Sequence, residues 1–180
     1  TMMERLARGQ YIPFASPTYL HGLDVFRENM ADLRELCTRH GIPLLFATQV
    51  SNLRDLAPFV SEGTPDAAAA SPARERIAEA RTLARNGKFE EALKGLRDLL
   101  AGDSLNAAAH YQAARCLDTL ARTAEALMEY RKARDDDQLR FRTSSDFNDA
   151  IMKAADGTTA TTVDMEDVFA DMRASHTPEE

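Results

Sequence analysis

Residues 73–137 read ARERIAEARTLARNGKFEEALKGLRDLLAGDSLNAAAHYQAARCLDTLARTAEALMEYRKARDDD. A period of 34 runs through this stretch. Ala80 and Ala114, Leu83 and Leu117, Ala92 and Ala126, Leu96 and Tyr130, and Leu99 and Ala133 all stand at that spacing. Small residues at Ala80, Ala92, Ala114 and Ala126 let two helices cross closely, and the larger partners fill the space between layers. Asn86-Gly87 supplies a turn. The equivalent turn, Ala121-Arg122-Thr123, lacks glycine. The pattern predicts two helical hairpins, 73–86 with 89–101 and 106–120 with 123–135.

This spacing resembles the tetratricopeptide repeat, a helix–turn–helix unit of the same length. Ser104 stands where such repeats often carry proline. Two repeats bury little apolar surface on each other, so they are expected to pack on the rest of the chain or on a partner. The resemblance implies a concave face formed by the first helix of each repeat, presenting Arg74, Ile77, Arg81, Arg85, Ala108, Tyr111, Arg115 and Asp118. Arginines around a tyrosine suit a carboxylate-bearing peptide. Arg74, Arg81, Arg85, Tyr111 and Arg115 are therefore candidate peptide-binding residues, against the plainer reading of a solvated helix face.

The totals restrict the function classes. A chain of 180 residues makes one or two domains, and 44% apolar with 28% charged residues is ordinary for a globular protein. A net charge of −7 argues against a nonspecific nucleic-acid or anionic-membrane partner. No apolar run approaches the ~20 residues of a spanning helix. Cys37 and Cys116 make no disulfide framework and are expected to be buried free thiols. His21, His40, His110 and His176 are scattered, so neither a metal site nor a catalytic triad is expected. His40 reads as a cation at a helix end, and His110 occupies a position that normally packs. No glycine-rich phosphate loop is present, and no cofactor is expected.

The flanks carry the other part of the fold. Residues 1–21 are weakly patterned, with Tyr11-Ile12-Pro13-Phe14 and Pro17-Thr18-Tyr19 reading as an aromatic-bearing loop, and Thr1-Met2-Met3 looks like a piece cut from a longer chain. Residues 23–40 form an amphipathic helix with Phe26, Met30, Leu33, Leu36 and Cys37 on its buried face, stopped by Gly41. Ile42 to Thr48 is a continuous apolar run, the mark of a parallel strand buried on both faces. Asn52 and Asp55 follow its carboxyl end, where ligands sit in open α/β sheets, although both suit a turn cap equally. Residues 61–72 read as a linker, and Ser71-Pro72 as the N-cap and first position of the next helix. After Asp135-Asp136-Asp137 and the short bridge Leu139 to Arg142, a helix is capped by Ser144 or Ser145 and buries Phe147 and Ile151, with Ala154 or Ala155. It runs to about Ala155 and stops at Asp156-Gly157. Thr158 to Met165 is a second strand, and Glu166 to Met172 begins another helix. The expected fold is mainly α with a small α/β part. Two helical hairpins interrupt the βα units of a partial parallel sheet, with segments 1–62, 63–138 and 139–180.

Several short motifs in this order resemble SGNH (GDSL-like) hydrolases interrupted by tetratricopeptide helices. They are Phe26 to Met30, Gly41 to Leu45, Thr48 to Asp55 and Pro58-Phe59, then Ala133 to Asp137, Leu139 to Arg142, Asn148, Ile151 and Val163-Asp164. The catalytic blocks of that family are missing. There is no early Gly-Asp-Ser block, the one such tripeptide, Gly102-Asp103-Ser104, standing between the two predicted hairpins, and His176 has Asp171 five residues before it instead of three. No catalytic residue is assigned. The resemblance implies an extracytoplasmic fragment of a larger protein. The expected function is a protein-interaction or scaffold module, with the non-catalytic portion of an esterase as the alternative. A protein or peptide partner is expected, and self-association would cover a two-stranded sheet and a short repeat array.

Overall fold

The computed structural model describes residues 11–61, 71–155, 157 and 159–169. The fold is mainly α with a small parallel sheet, as the sequence predicts. Helix α1 (Pro17–Arg39) leads into strand β1 (Leu44–Ala47). Helices α2 (Pro72–Arg85), α3 (Phe89–Leu100), α4 (Ala107–Thr119) and α5 (Thr123–Asp135) follow, then α6 (Ser145–Lys153) and strand β2 (Ala160–Val163). Residues 165–169 are also helical. The described residues fall into two compact units, 11–16 with 52–142 and 17–51 with 143–169.

The helical unit holds α2 to α5 as two antiparallel hairpins. Ser71 caps α2, its hydroxyl accepting from the Arg74 amide, with Pro72 in the first turn. Asn106 caps α4 through the Ala109 amide, and its side-chain amide donates to Asp103 at 2.9 Å. The period survives as burial. Ala92, Leu96, Ala114, Leu117 and Ala126 are each at most 1% exposed, and Tyr130 and Ala133 lie beside them. Leu93, Leu96 and Leu117 are fully enclosed, each contributing about 1.5–3 kcal/mol of burial.

Both inter-helix turns close in the same way. Gly87 has φ +78 and Ala121 has φ +57. The Lys88 amide returns to the Leu83 carbonyl and the Arg122 amide to the Leu117 carbonyl, both at 2.9 Å. The second turn therefore repeats the left-handed closure of the first without glycine.

The second unit is an α/β element in which β1 and β2 run parallel, Leu44 opposite Ala160 and Phe46 opposite Thr162. Phe46, Ile151 and Ala160 form its core, with Phe26, Met30, Leu44 and Ala154 packed around them. Phe147 meets Phe26 at 5.1 Å and Tyr19 at 5.8 Å between ring centroids. The Tyr19 hydroxyl is bonded to Ser144 at 2.7 Å and donates to Asp146 at 3.0 Å.

Three expectations for this unit need correction. Helix α1 starts at Pro17, not at residue 23: proline suits a first turn, and Tyr19 has buried partners on α6. Leu33 and Leu36 are 42% and 50% exposed, because the buried stripe of α1 runs through Tyr19, Leu23, Phe26, Met30 and Cys37. Strand β1 is not buried on both faces. Phe46 points into the core, but Leu45 is 64% exposed, since α1 and α6 cover only the Phe46 side. Cys37 and Cys116 are free and buried. His176, Asp171 and most of the 61–72 linker lie outside the described residues.

Candidate functional site

The first helices of the two hairpins, α2 and α4, line a cleft together with the segment that follows β1. Residues 52–60 form an irregular strap belonging to the helical unit. At its start, the Asp55 amide donates to the Asn52 side-chain oxygen at 2.9 Å. Asn52 and Asp55 thus form a turn-capping pair. Leu53 packs against the repeat core. The Tyr111 hydroxyl of α4 donates to the Arg54 carbonyl at 2.7 Å. The Arg54 guanidinium meets Asp118 at 2.8 Å, and the Tyr130 hydroxyl donates to the same carboxylate oxygen at 2.9 Å.

The far end of the strap is held more firmly. Asp137 is 2% exposed and accepts from the amides of Phe59 at 2.9 Å, Val60 at 3.0 Å and Leu139 at 3.2 Å. Its cationic neighbour is Arg142, at 3.4 Å, which also donates to the Leu56 carbonyl at 2.8 Å. The Gln138 amide donates to the Val60 carbonyl. Burial pulls the Arg142 guanidinium down while Asp137 holds it up. Asp137 and Arg142 sit in stretches the sequence read as a helix end and a bridge. Their role needed knowledge of which side chains turn inward, which no local spacing encodes.

The strap leaves two open clefts on this face. One, of ≈ 490 Å³, is lined by Ala57, Arg81, Ala84, Arg85, Phe89, Tyr111, Gln112, Arg115, Cys116 and Thr119. The other, of ≈ 510 Å³, is lined by Arg54, Asp55, Tyr111, Arg115, Asp118, Thr119 and Tyr130. Tyr111, Arg115 and Thr119 belong to both. The structure therefore brings together four of the five residues picked from the sequence: Arg81, Arg85, Tyr111 and Arg115. Arg74 is exposed on the first turn of α2 and lines neither cleft. Among the described residues, Arg81, Arg85 and Arg115 have no carboxylate partner. Cys116 lies on the wall of the first cleft, and burial pushes its thiol up, away from the reactive thiolate.

A second polar cluster lies on the same unit. His110 is 5% exposed, with Nδ1 2.5 Å from the Glu129 carboxylate and Nε2 2.9 Å from the Ser104 carbonyl. Both ring nitrogens face acceptors, an arrangement that the doubly protonated imidazolium satisfies. Burial works against the charge, but the bonds to Glu129 and Ser104 prevail and raise the His110 pKa. Nearby Asp136 is pushed up to about 6 by burial. Among the described residues no group of His, Cys, Asp and Glu is arranged to hold a metal ion. No described helix is long and apolar enough to cross a membrane.

At the carboxyl ends of the strands, Thr48 donates to Asp164 at 3.0 Å, and Asn148 exchanges bonds with the Gln49 backbone at 2.8 and 2.9 Å. These groups satisfy one another.

In a comparison with known families, one described as Bacterial transcriptional activator domain matches residues 55–144, half of the chain. That range takes in most of the strap, the four repeat helices and the Asp137–Arg142 anchor. No curated protein and no solved structure matches the chain. Nothing in these comparisons supports the resemblance to SGNH hydrolases.

Proposed function

The chain belongs to the bacterial transcriptional activator domain family, and from that premise we propose that its helical unit is a protein-interaction module that takes an acidic peptide segment of a partner. One observation carries the reading. Arg81, Arg85 and Arg115 line one cleft with Tyr111, and among the described residues none of the three has a carboxylate partner. Guanidinium groups in a walled cleft pair with carboxylates by charge-assisted, two-pronged hydrogen bonds. The strap supports the same reading, because α4 already receives irregular backbone through the Tyr111 hydroxyl. In a transcription regulator such a module would relay the presence of a partner, not carry out chemistry.

The test is fluorescence anisotropy with labelled hexaglutamate, using hexalysine as the control, at low and high salt. Saturable binding of hexaglutamate that weakens with salt is expected, with about a tenfold loss in an Arg85→Ala/Arg115→Ala variant. Absence of binding at every salt concentration, or equal binding by the variant, would overturn the proposal.

The alternative is that the α/β unit comes from an esterase whose catalytic blocks lie elsewhere. In its favour stands the parallel pairing of β1 with β2, with polar side chains at their carboxyl ends. A longer chain carrying a further Gly-Asp-Ser block ahead of Thr1 would then hydrolyse p-nitrophenyl acetate. A longer native chain without that block would rule the reading out.

A further inference from the structure

Arg54 and Asp118 bear on how much of this face a partner uses. The first cleft holds three arginines that have no carboxylate partner among the described residues, whereas the second holds Arg54, whose guanidinium is taken up by Asp118 at 2.8 Å. Arg54 is half exposed at the cleft mouth, and Asp118 is 14% exposed on its wall. The clefts share Tyr111, Arg115 and Thr119, so they are two compartments of one groove. Asp118 keeps a second partner, the Tyr130 hydroxyl, when Arg54 leaves. Arg54 sits on a strap that is anchored at Asp137 and, near its start, by Tyr111, Leu53, Asp118 and a long 3.4 Å bond from Arg142 to the Asn52 carbonyl.

We propose that the Arg54–Asp118 pair is a latch on the groove, and that an acidic partner segment spanning both clefts takes Arg54 from Asp118 as its fourth cation. This rests on the reading of the first cleft as an acidic-peptide site and adds the extent of the partner and its means of admission. An exposed ion pair contributes little on its own, so exchanging one carboxylate for another is nearly balanced. The ligand's other contacts then decide the exchange. Asp118 acts as an internal competitor that excludes weakly acidic or short segments.

The experiment measures hexaglutamate anisotropy on the full chain and on two variants, Asp118→Asn and Arg54→Ala/Asp118→Asn, with circular dichroism confirming equal helix content. Asparagine keeps an acceptor for Tyr130 while releasing Arg54. Asp118→Asn is expected to bind about threefold to fivefold tighter than the native chain, the scale of one exposed ion pair. The double variant is expected to lose that gain. A double variant as tight as Asp118→Asn would show that Arg54 never touches the ligand, and Asp118→Asn binding no tighter than the native chain would show that there is no latch; either result overturns the inference and leaves the first cleft standing. Failure of the native chain and of both variants to bind would instead remove the acidic-peptide reading and the latch together.

Discussion

Replacing Asp137 by alanine removes one carboxylate and leaves four groups without it. Three are backbone amides, of Phe59, Val60 and Leu139, and the fourth is the Arg142 guanidinium. The Val60 amide is buried and adds to the loss, whereas those of Phe59 and Leu139 are part-buried and regain water at little cost. Arg142, with its side chain 4% exposed, does not. Leaving a buried charge without its partner costs about 3–5 kcal/mol, and the bond from Arg142 to the Leu56 carbonyl limits the loss to the lower part of that range. Asparagine keeps one carbonyl oxygen and should cost about 1.5–3 kcal/mol, the worth of hydrogen bonds to a charged group. Urea unfolding followed by circular dichroism gives the stability, and hydrogen exchange at the Phe59 and Val60 amides reports the strap directly. Both amides should exchange faster in Asp137→Ala than amides in the middle of α4. If Asp137→Ala unfolds within about 1 kcal/mol of the native chain, the size of a neutral hydrogen bond, the strap is not anchored as described.

Three further outcomes follow from the helical unit. Ala121→Gly should stabilise by about 0.5–1 kcal/mol, because the left-handed conformation penalises a side chain while glycine loses part of that gain in the unfolded chain. Gly87→Ala should destabilise by about 1 kcal/mol from conformation alone, since a methyl group there meets no atom within 4 Å; thermal melts of the two variants should move in opposite directions. The folded pKa of His110 is raised, so its contribution is complete below about 6.5 and is lost as pH rises through the folded value. Asp136 acts in the same direction lower down, favouring the folded state less as pH rises from 3.8 to about 6. Glu129 opposes both only at acid pH, because its depressed pKa withdraws stability as pH falls below about 4.5. His110→Gln should therefore flatten the stability profile above pH 6.5, and an unchanged slope would show that the imidazolium bonds are not formed.

Much of the helical unit was legible because the period fixes small residues against large ones. Ala92 and Ala126 could not be enlarged without pushing helices apart, and that constraint shows in the sequence. Ser71-Pro72 announced the start of α2 through chemistry local to two residues. The α/β unit was harder. A run such as Leu44-Leu45-Phe46-Ala47 looks alike whether one face or two are covered, and only the helices on the Phe46 side decide it. The arginines of the groove could be placed on one face from helical spacing, but the strap could not. Its anchors, Asp137 and Arg142, read as the end of a helix and part of a short bridge, and their burial depends on Phe59 and Val60, more than 75 residues earlier. Asn52 and Asp55 kept their turn-capping alternative, which is the geometry they adopt.

The chain visits the small parallel sheet twice, and this shapes the order of assembly. Leu44 and Ala160 pair across 116 positions of sequence. Closing so long a loop in an unstructured chain would cost about 4 kcal/mol in entropy. The helices remove most of that cost, because Arg142 lies 3.4 Å from the Asn52 carbonyl once they have formed. Local helical contacts form fast and distant strand pairing slowly, so the hairpins act as a clasp that delivers the two strand-bearing segments to each other. Pulse-labelling during refolding should find α4 and α5 protected before the Leu44 and Thr48 amides.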